Sequence, residues 1–279
     1  MRVCFTSDLH GSRTLYEQLA VLVREQQPGL LVLGGDLLGD VDRDRPPGPQ
    51  LDEMHRDFLE RLAGYRGTVP GMTVACIVGN HELWPTREAL AARDEAGDLV
   101  LLDERHVWEF GGYAWLGYAC APPSPHWAKD FERLDRSEDD VPDFAGVVWD
   151  VEHRRLVPVT ADEHFRGRET LSQALAAVSV PRGPWVLVAH APPHGSHLDR
   201  LPTVPHPIGS RAVRAFIERG QPTLALHGHV HESPATSGSF VDRIGETLCV
   251  NPGQVHGRLQ AVVLDLDSPG ETIRHTEFS

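Results

Sequence analysis

Apolar and polar positions along the chain fall into alternating blocks of two kinds. Residues 1–7 form a short apolar run that ends at Ser7-Asp8. From Ser12, a suitable cap, to about Gln26, apolar residues recur at helical spacing as Leu15, Leu19, Leu22 and Val23. Residues 30–33 form a second apolar run, closed by Gly34-Gly35-Asp36. Strand, helix and strand in this order predict a βαβ unit, with parallel strands and a right-handed crossover. A charged, proline-rich loop is expected over residues 39–50, and a helix from about Gln50 to Ala63. Residues 72–78 predict a third strand that runs into Gly79-Asn80-His81-Glu82, and Thr86 opens another short helix.

Shorter strands are expected over residues 99–102, 106–110 and 113–118, the last two joined by a hairpin turn at Gly111-Gly112. Residues 120–166 break the pattern with a Pro-Pro-Ser-Pro stretch, the acidic run Glu138, Asp139 and Asp140, and two tryptophans. An irregular insertion is expected there, either a lid or binding loop or a solvated surface loop. The regular pattern then returns. A helix is expected over residues 168–179, a strand over 185–189 that ends at His190, and a helix over 210–219. A strand over 223–226 ends in His227-Gly228-His229-Val230-His231, and short β-like segments fill 239–275. No repeat or linker interrupts this order, so a single domain over residues 1–279 is expected, with an insertion at about 120–166.

A chain of 279 residues can bury about three quarters of its unfolded surface, so it needs no staples. Cys4, Cys76, Cys120 and Cys249 are far apart and form no CxxC pair, which points to buried thiols in a reducing cytosol. The amino-terminal apolar run is too short for a signal peptide, and no stretch approaches the roughly 18 apolar residues of a membrane span. A cytoplasmic protein with no membrane association is expected. The formal charge is −14. Nucleic-acid binders need a basic face to replace counterions, so nucleic acid is a poor partner here, while the balance suits bound divalent cations. Of the 26 basic residues only Lys129 is a lysine, a bias attributed to the base composition of the source genome. Eight of the 16 histidines lie between residues 190 and 256, which points to metal or acid–base chemistry.

Ligand-type residues recur where predicted strands end: Asp8 and His10, Asp36, Asn80 and His81, His190, then His229 and His231. In open α/β sheets ligands bind at that carboxyl edge, so five strand ends can meet at one site. Carboxylate oxygen and imidazole nitrogen suit manganese, iron, zinc or cobalt, and no thiolate is required. Two ions at about 3.5–4 Å need a shared carboxylate with separate ligands on either side. Asp36 is a natural bridge between Asp8, His10 and His231 and a second set of Asn80, His190 and His229. The neutral Asn80 oxygen keeps the site from becoming too anionic to accept a phosphate. Asp8-Leu9-His10, Gly34-Gly35-Asp36 and His190 are each weak alone, whereas Gly79-Asn80-His81-Glu82 and Gly228-His229-Val230-His231 are stronger. All five in order, each after a predicted strand, are specific together.

These blocks, Asp8-Leu9-His10, Gly35-Asp36, Gly79-Asn80-His81-Glu82, His190 and Gly228-His229-Val230-His231, resemble the five signature blocks of the calcineurin-like metallophosphoesterase superfamily, over residues 1 to about 256. The stretch from His190 to Gly195, Gly209-Ser210-Arg211 and Asn251-Pro252-Gly253 are similar to its small prokaryotic branch. The resemblance implies an α/β four-layer αββα sandwich, two mixed β-sheets flanked by helices, with a dinuclear metal centre at the strand ends. It implies that Asp8, His10, Asp36 and His231 hold one metal, that Asp36, Asn80, His190 and His229 hold the other, and that His81 is the acid. Manganese is the first expectation, with iron, zinc, cobalt, nickel or magnesium as alternatives. The protein serine/threonine phosphatase branch has a longer block that ends Asp-Arg-Gly. Here Asp42-Arg43 is followed by Asp44, so protein phosphatase activity is less expected.

The expected activity is hydrolysis of a small phosphate ester, a phosphodiester with nucleotides among the candidates, by hydroxide that two metals activate. His81 would protonate the departing alkoxide, its ring oriented by Glu82, Asp40 or another carboxylate. No GxSxG elbow, Cys/His nucleophile signature or P-loop is present. His194 is a candidate contact to substrate phosphate. Arg200 and Arg211 are candidate clamps, and Trp127 and Trp149 candidate nucleobase platforms, each weighed against a plain packing or solvated role. His227 is balanced between support of the ligands and a structural role. The alternatives are a phosphomonoesterase, a nuclease, or a phosphoesterase-like scaffold that binds partners without catalysis. The sequence leaves the oligomeric state open.

Overall fold

The computed structural model describes residues 1–277. It opens with β1 (Arg2–Thr6), α1 (Arg13–Gln26), β2 (Leu30–Gly34), α2 (Pro47–Thr68), β3 (Thr73–Ile77), α3 (Trp84–Glu95) and β4 (Val100–Leu101). There follow β5 (Trp108–Phe110), β6 (Tyr113–Tyr118), β7 (Ala145–Asp150), β8 (Arg155–Thr160), α4 (Ala161–Phe165), α5 (Leu171–Ala177) and β9 (Trp185–Ala189). The rest comprises α6 (Arg211–Gly220), β10 (Leu224–Leu226), α7 (Ser233–Ser237), β11 (Val241–Ile244), β12 (Thr247–Val250), β13 (Val262–Asp265), α8 (Pro269–Thr272) and β14 (Arg274–His275).

Two six-stranded sheets result, with orders β14-β13-β1-β2-β3-β4 and β11-β12-β10-β9-β6-β5. In the first, β1 to β4 are parallel, β13 runs antiparallel to β1, and β14 runs antiparallel to β13. In the second, β6, β9, β10 and β12 are parallel while β5 and β11 run antiparallel. The central strands bury both faces, so they read as continuous apolar runs. Alternate side chains serve two cores. Val3, Phe5, Leu30, Val32 and Ile77 pack with Trp115, Val186, Val188, Leu224 and Val250 of the other sheet. Cys4, Leu31, Leu33 and Cys76 point the other way and cluster with Leu15 and Leu19 of α1 and Phe58 and Leu62 of α2. On the second sheet Leu187, Ala225 and Cys249 cluster with Val213 and Phe216 of α6. The layers are helix, sheet, sheet, helix, as expected.

Ser12 caps α1, accepting from the Leu15 N–H at 3.4 Å. α2 begins at Pro47, earlier than expected, because the fixed φ of proline suits the first turn of a helix. The larger departure is at residues 120–166, which are not irregular throughout. β7 and β8 pair antiparallel from Ala145↔Thr160 to Asp150↔Arg155, and a Thr160/Glu163 capping box then starts α4. The period-two signal is weak there because both strands are only partly buried and Pro158 interrupts β8.

Register positions the site. Thr6 pairs with Leu33, Gly34 with Ile77, and Val188 with Leu226, so neighbouring parallel strands end level. Among the described residues no helix is long and apolar enough to cross a membrane, and the four cysteines are free and buried.

Candidate metal centre

The site is built at corners where strands turn into loops. Asp8 (φ 59°), His10 (φ 45°), Asp36 (φ 50°) and His229 (φ 67°) hold left-handed backbone, which few non-glycine residues adopt. Only Gln27, Arg154 and Gln221 share it among the other described non-glycine residues, so strain concentrates here. Loop-to-loop bonds hold the corners. Asp8 N–H donates to Gly35 O at 3.0 Å, and His10 N–H to Asp36 O at 2.8 Å. Buried Glu82 accepts from the N–H groups of Gly79 (2.7 Å), Asp36 (2.9 Å), Leu37 (2.8 Å) and Leu38 (3.0 Å). It ties the β2 corner to the β3 corner. Burial and the Asp36 charge push its carboxyl up to about 7, against the pull of those donors.

The seven predicted ligands come together. His231 Nε2 lies 3.2 Å from Asp8 Oδ1 and 3.2 Å from His10 Nε2, and His10 Nε2 lies 3.9 Å from Asp36 Oδ2. Beyond Asp36, His190 Nε2 lies 3.4 Å from Asp36 Oδ2 and 3.0 Å from Asn80 Oδ1. Asn80 Oδ1 lies 2.8 Å from His229 Nδ1. His190 Nδ1 sits 2.8 Å from Gly34 O, which leaves its Nε2 for the cluster. Two donor sets, each a mix of oxygen and imidazole nitrogen, thus share the Asp36 carboxylate, and this chemistry fits a pair of divalent cations. Asp8, Asp36, Asn80 and His190 are buried, whereas His10, His81 and His231 keep 27%, 24% and 33% of their side chains exposed and form the open face.

Burial disfavours charge on every member, and neighbours decide where it wins. His231 overrides it at Asp8, whose carboxyl is held at about 2, and His190 holds Asp36 well below the usual range. In return Asp36 raises His190 to about 10, and Asp8 raises His231 to about 9. Burial prevails at His229, which falls to about 3, and lowers His10.

His81 stands at the rim. Its N–H donates to Asp36 Oδ1 at 2.9 Å, its Nε2 lies 3.9 Å from Asp36 Oδ2, and its Nδ1 lies 3.4 Å from Asp40 Oδ1. Asp40, not Glu82, is therefore the carboxylate beside the ring. Burial opposes protonation of His81, but Asp40 and Asp36 outweigh it and raise its pKa. His126, from the 120–166 segment, stacks on His81 with centroids 3.4 Å apart and planes at 22°. Its Nε2 lies 3.5 Å from the same Asp40 oxygen, and burial with the His81 charge lowers it to about 4. Asp40, His81 and His126 each offer one ligand-type atom, all within 4.8 Å of one another, and neither His81 Nδ1 nor His126 Nε2 makes a hydrogen bond there.

Other candidates stand apart. His194 is 4.0 Å from Asp199 Oδ2 and belongs to neither donor set. His227 is buried, with Nδ1 2.9 Å and 3.1 Å from the carbonyls of Ala189 and Ala191, and burial lowers it to about 4. It is a neutral tie between the two histidine loops. The Arg200 side chain donates to Ser196 O, and Arg211 is exposed. Trp149 packs with Val41, Leu51 and Leu83 and is core, while Trp127 is half-buried beneath Arg43. His126 and the buried pair Lys129 and Glu132 escape sequence reasoning, because no motif marks them. The one available signal was that Lys129 is the lone lysine.

A family model described as calcineurin-like phosphoesterase matches residues 1–233, which include every predicted ligand. Two crystal structures share the fold over the whole chain. One aligns at 20% identity with a TM-score of 0.62, covering 100% of this chain and 99% of its own. The other, TT1561 of Thermus thermophilus, aligns at 16% identity with a TM-score of 0.60, covering 100% and 99%. No curated protein matches. The chain belongs to the calcineurin-like phosphoesterase family.

Proposed function

We propose that the protein hydrolyses a small phosphodiester. One divalent cation would be held by Asp8, His10, Asp36 and His231, and a second by Asp36, Asn80, His190 and His229. The observation that carries this reading is the Asp36 carboxylate facing both donor sets beneath the ring of His81. Bound there, such cations supply a water of lowered pKa and positive charge for the phosphoryl oxygens. Manganese is the first candidate, since mixed oxygen and imidazole donors suit it.

The chain itself supplies orientation and a proton. Asp40 faces the Nδ1 edge of His81, so Nε2 is the edge turned toward the cluster. His81, its ring beside the Asp40 carboxylate, donates a proton from Nε2 to the departing alkoxide oxygen. His10 and His231 line the exposed side from which substrate approaches. Charge favours a diester. Among the described residues the ion pairs of Asp8, Asp36 and Asp40 are all with histidines, and no Arg or Lys joins them to meet a dianionic monoester. Four free buried thiols suit the reducing cytosol, where we place the protein.

The test uses metal-stripped protein on a chromogenic phosphodiester and the matching monoester, with and without added Mn²⁺. Diester turnover that needs the metal and is lost in Asp36→Asn supports the reading. Monoester preference turns it to a phosphomonoesterase. Two ions bound with no turnover on either ester favours the scaffold.

A further inference from the structure

Asn80 has two chemically different ends. Its Oδ1 can serve a cation and its Nδ2 cannot, so the value of Asn80 as a ligand depends on which way the amide faces. That choice is made outside the cluster. Asn80 Nδ2 donates to Glu132 Oε1 at 3.2 Å and to Ser124 Oγ at 3.3 Å. An ionised carboxylate only accepts, so Glu132 holds the nitrogen and turns Oδ1 toward His190 and His229.

Glu132 has no exposed side-chain surface, and a lone carboxylate there would be strongly disfavoured. Its partner is Lys129, the chain's only lysine, which is 1% exposed. Lys129 Nζ donates to Glu132 Oε2 at 2.7 Å and to Ser124 O at 2.7 Å. The Ser124 N–H and hydroxyl also donate to Glu132. The β7–β8 hairpin is shaped around this lysine. A Cβ at Gly146 would lie 2.5 Å from Lys129 Cγ, and Phe144 offers its ring 4.3 Å from Nζ. Residues flanking the pair fasten the same segment to the site loops. Asp130 accepts from the Trp84 N–H at the start of α3, and Asp135 from Ser210 Oγ and the Arg211 N–H at the start of α6.

We propose that the buried Lys129–Glu132 pair is a positioning device for Asn80, and that it sets the affinity of the cation site formed by Asn80, His190, His229 and Asp36. The proposal rests on the two-cation reading. It gives the 120–166 segment a role in holding that centre, and it makes the effect asymmetric. The Asp8, His10 and His231 side touches neither residue of the pair and keeps its affinity.

The experiment is a Mn²⁺ titration of metal-stripped protein by calorimetry, with electron paramagnetic resonance following the exchange-coupled pair of ions. Asn80→Ala tests the centre, and the double variant Lys129→Met with Glu132→Leu tests the device. The double variant removes both charges at similar volume, which a buried pair tolerates better than loss of one partner. Glu132→Gln is the second variant: it keeps the side-chain volume and sets an amide against Lys129 Nζ and the Ser124 N–H, and circular dichroism checks that it is folded before the titration. We expect the first ion to bind as in the wild type, and the second to bind about 10–100-fold more weakly in the double variant and about tenfold more weakly in Glu132→Gln. The coupled signal should appear only at correspondingly higher Mn²⁺. Unchanged second-ion affinity in Glu132→Gln, or equal weakening of both ions, overturns the proposal. A wild type that binds one ion, or an Asn80→Ala variant that binds two normally, overturns the two-cation centre and the proposal with it.

Discussion

A proton on His81 serves catalysis only if it stays there at working pH, and the residue that keeps it is Asp40, 3.4 Å from Nδ1. His81→Ala should lower kcat about 10²–10⁴-fold on a diester with a poor leaving group, and far less on a nitrophenyl ester, whose departing oxygen needs no proton. Metal content should not change, because His81 belongs to neither donor set. Asp40→Asn tests the electrostatics. Activity that needs protonated His81 is lost as pH rises through its pKa, which Asp40 and Asp36 raise. Removing the Asp40 charge lowers that pKa, so the alkaline limb of the kcat profile should move to lower pH. An alkaline limb that stays in place in Asp40→Asn, or one that moves up, would remove His81 from the acid role.

At the scale of elements, the site depends on how closely the β2 and β3 corners approach. A Cβ at Gly79 would lie 2.2 Å from Asp36 Oδ1, 2.6 Å from Asp36 N and 2.7 Å from His190 Cε1. Gly79→Ala should therefore displace the shared carboxylate, lose one or both cations, and cost about 1–3 kcal/mol of stability by overpacking. Gly64, in α2 with open space around it, gives the opposite sign: Gly64→Ala should stabilise by about 0.5–1 kcal/mol. Denaturant melts and metal analysis of both variants check the pair. These corners were legible beforehand because Asp8, Asp36, Asn80, His190 and His229 each follow an apolar run of strand length, and buried parallel strands announce themselves that way. The support behind Asn80 was not legible. Glu132 reaches Asn80 across 52 residues, from a segment whose strands carry half-buried faces and a proline, and local periodicity says nothing about such a contact. The partner of His81 was narrowed to a few carboxylates, and only the folded loop singled out Asp40.

Across the whole molecule, the candidate ligands Asp8 and His229 stand 221 residues apart and come from different sheets. Cations held between them bind the folded chain and not the unfolded one, so their binding free energy adds to stability. At a hundredfold excess over Kd one ion contributes about 2.7 kcal/mol, which for a chain of this size corresponds to a Tm rise of about 5 °C. The size of the rise should depend on pH. In stripped protein His190, raised to about 10, and His231, raised to about 9, carry protons at neutral pH. Both values lie above the unfolded histidine pKa of about 6.5, so this contribution to stability is complete below about pH 6.5. It is lost as pH climbs through about 9 and about 10. Cation binding needs both rings unprotonated, so affinity gains up to about tenfold per displaced proton for each pH unit in that window. Rising pH thus weakens the stripped protein and favours the loaded one. Scanning calorimetry of stripped and Mn²⁺-loaded protein in matched buffers, at limiting metal, should show the Tm gap widening from about pH 6 to about pH 8. A gap that is constant or narrows means that the cations displace no proton from these rings, so that either the rings are neutral in stripped protein or they do not both bind the cations.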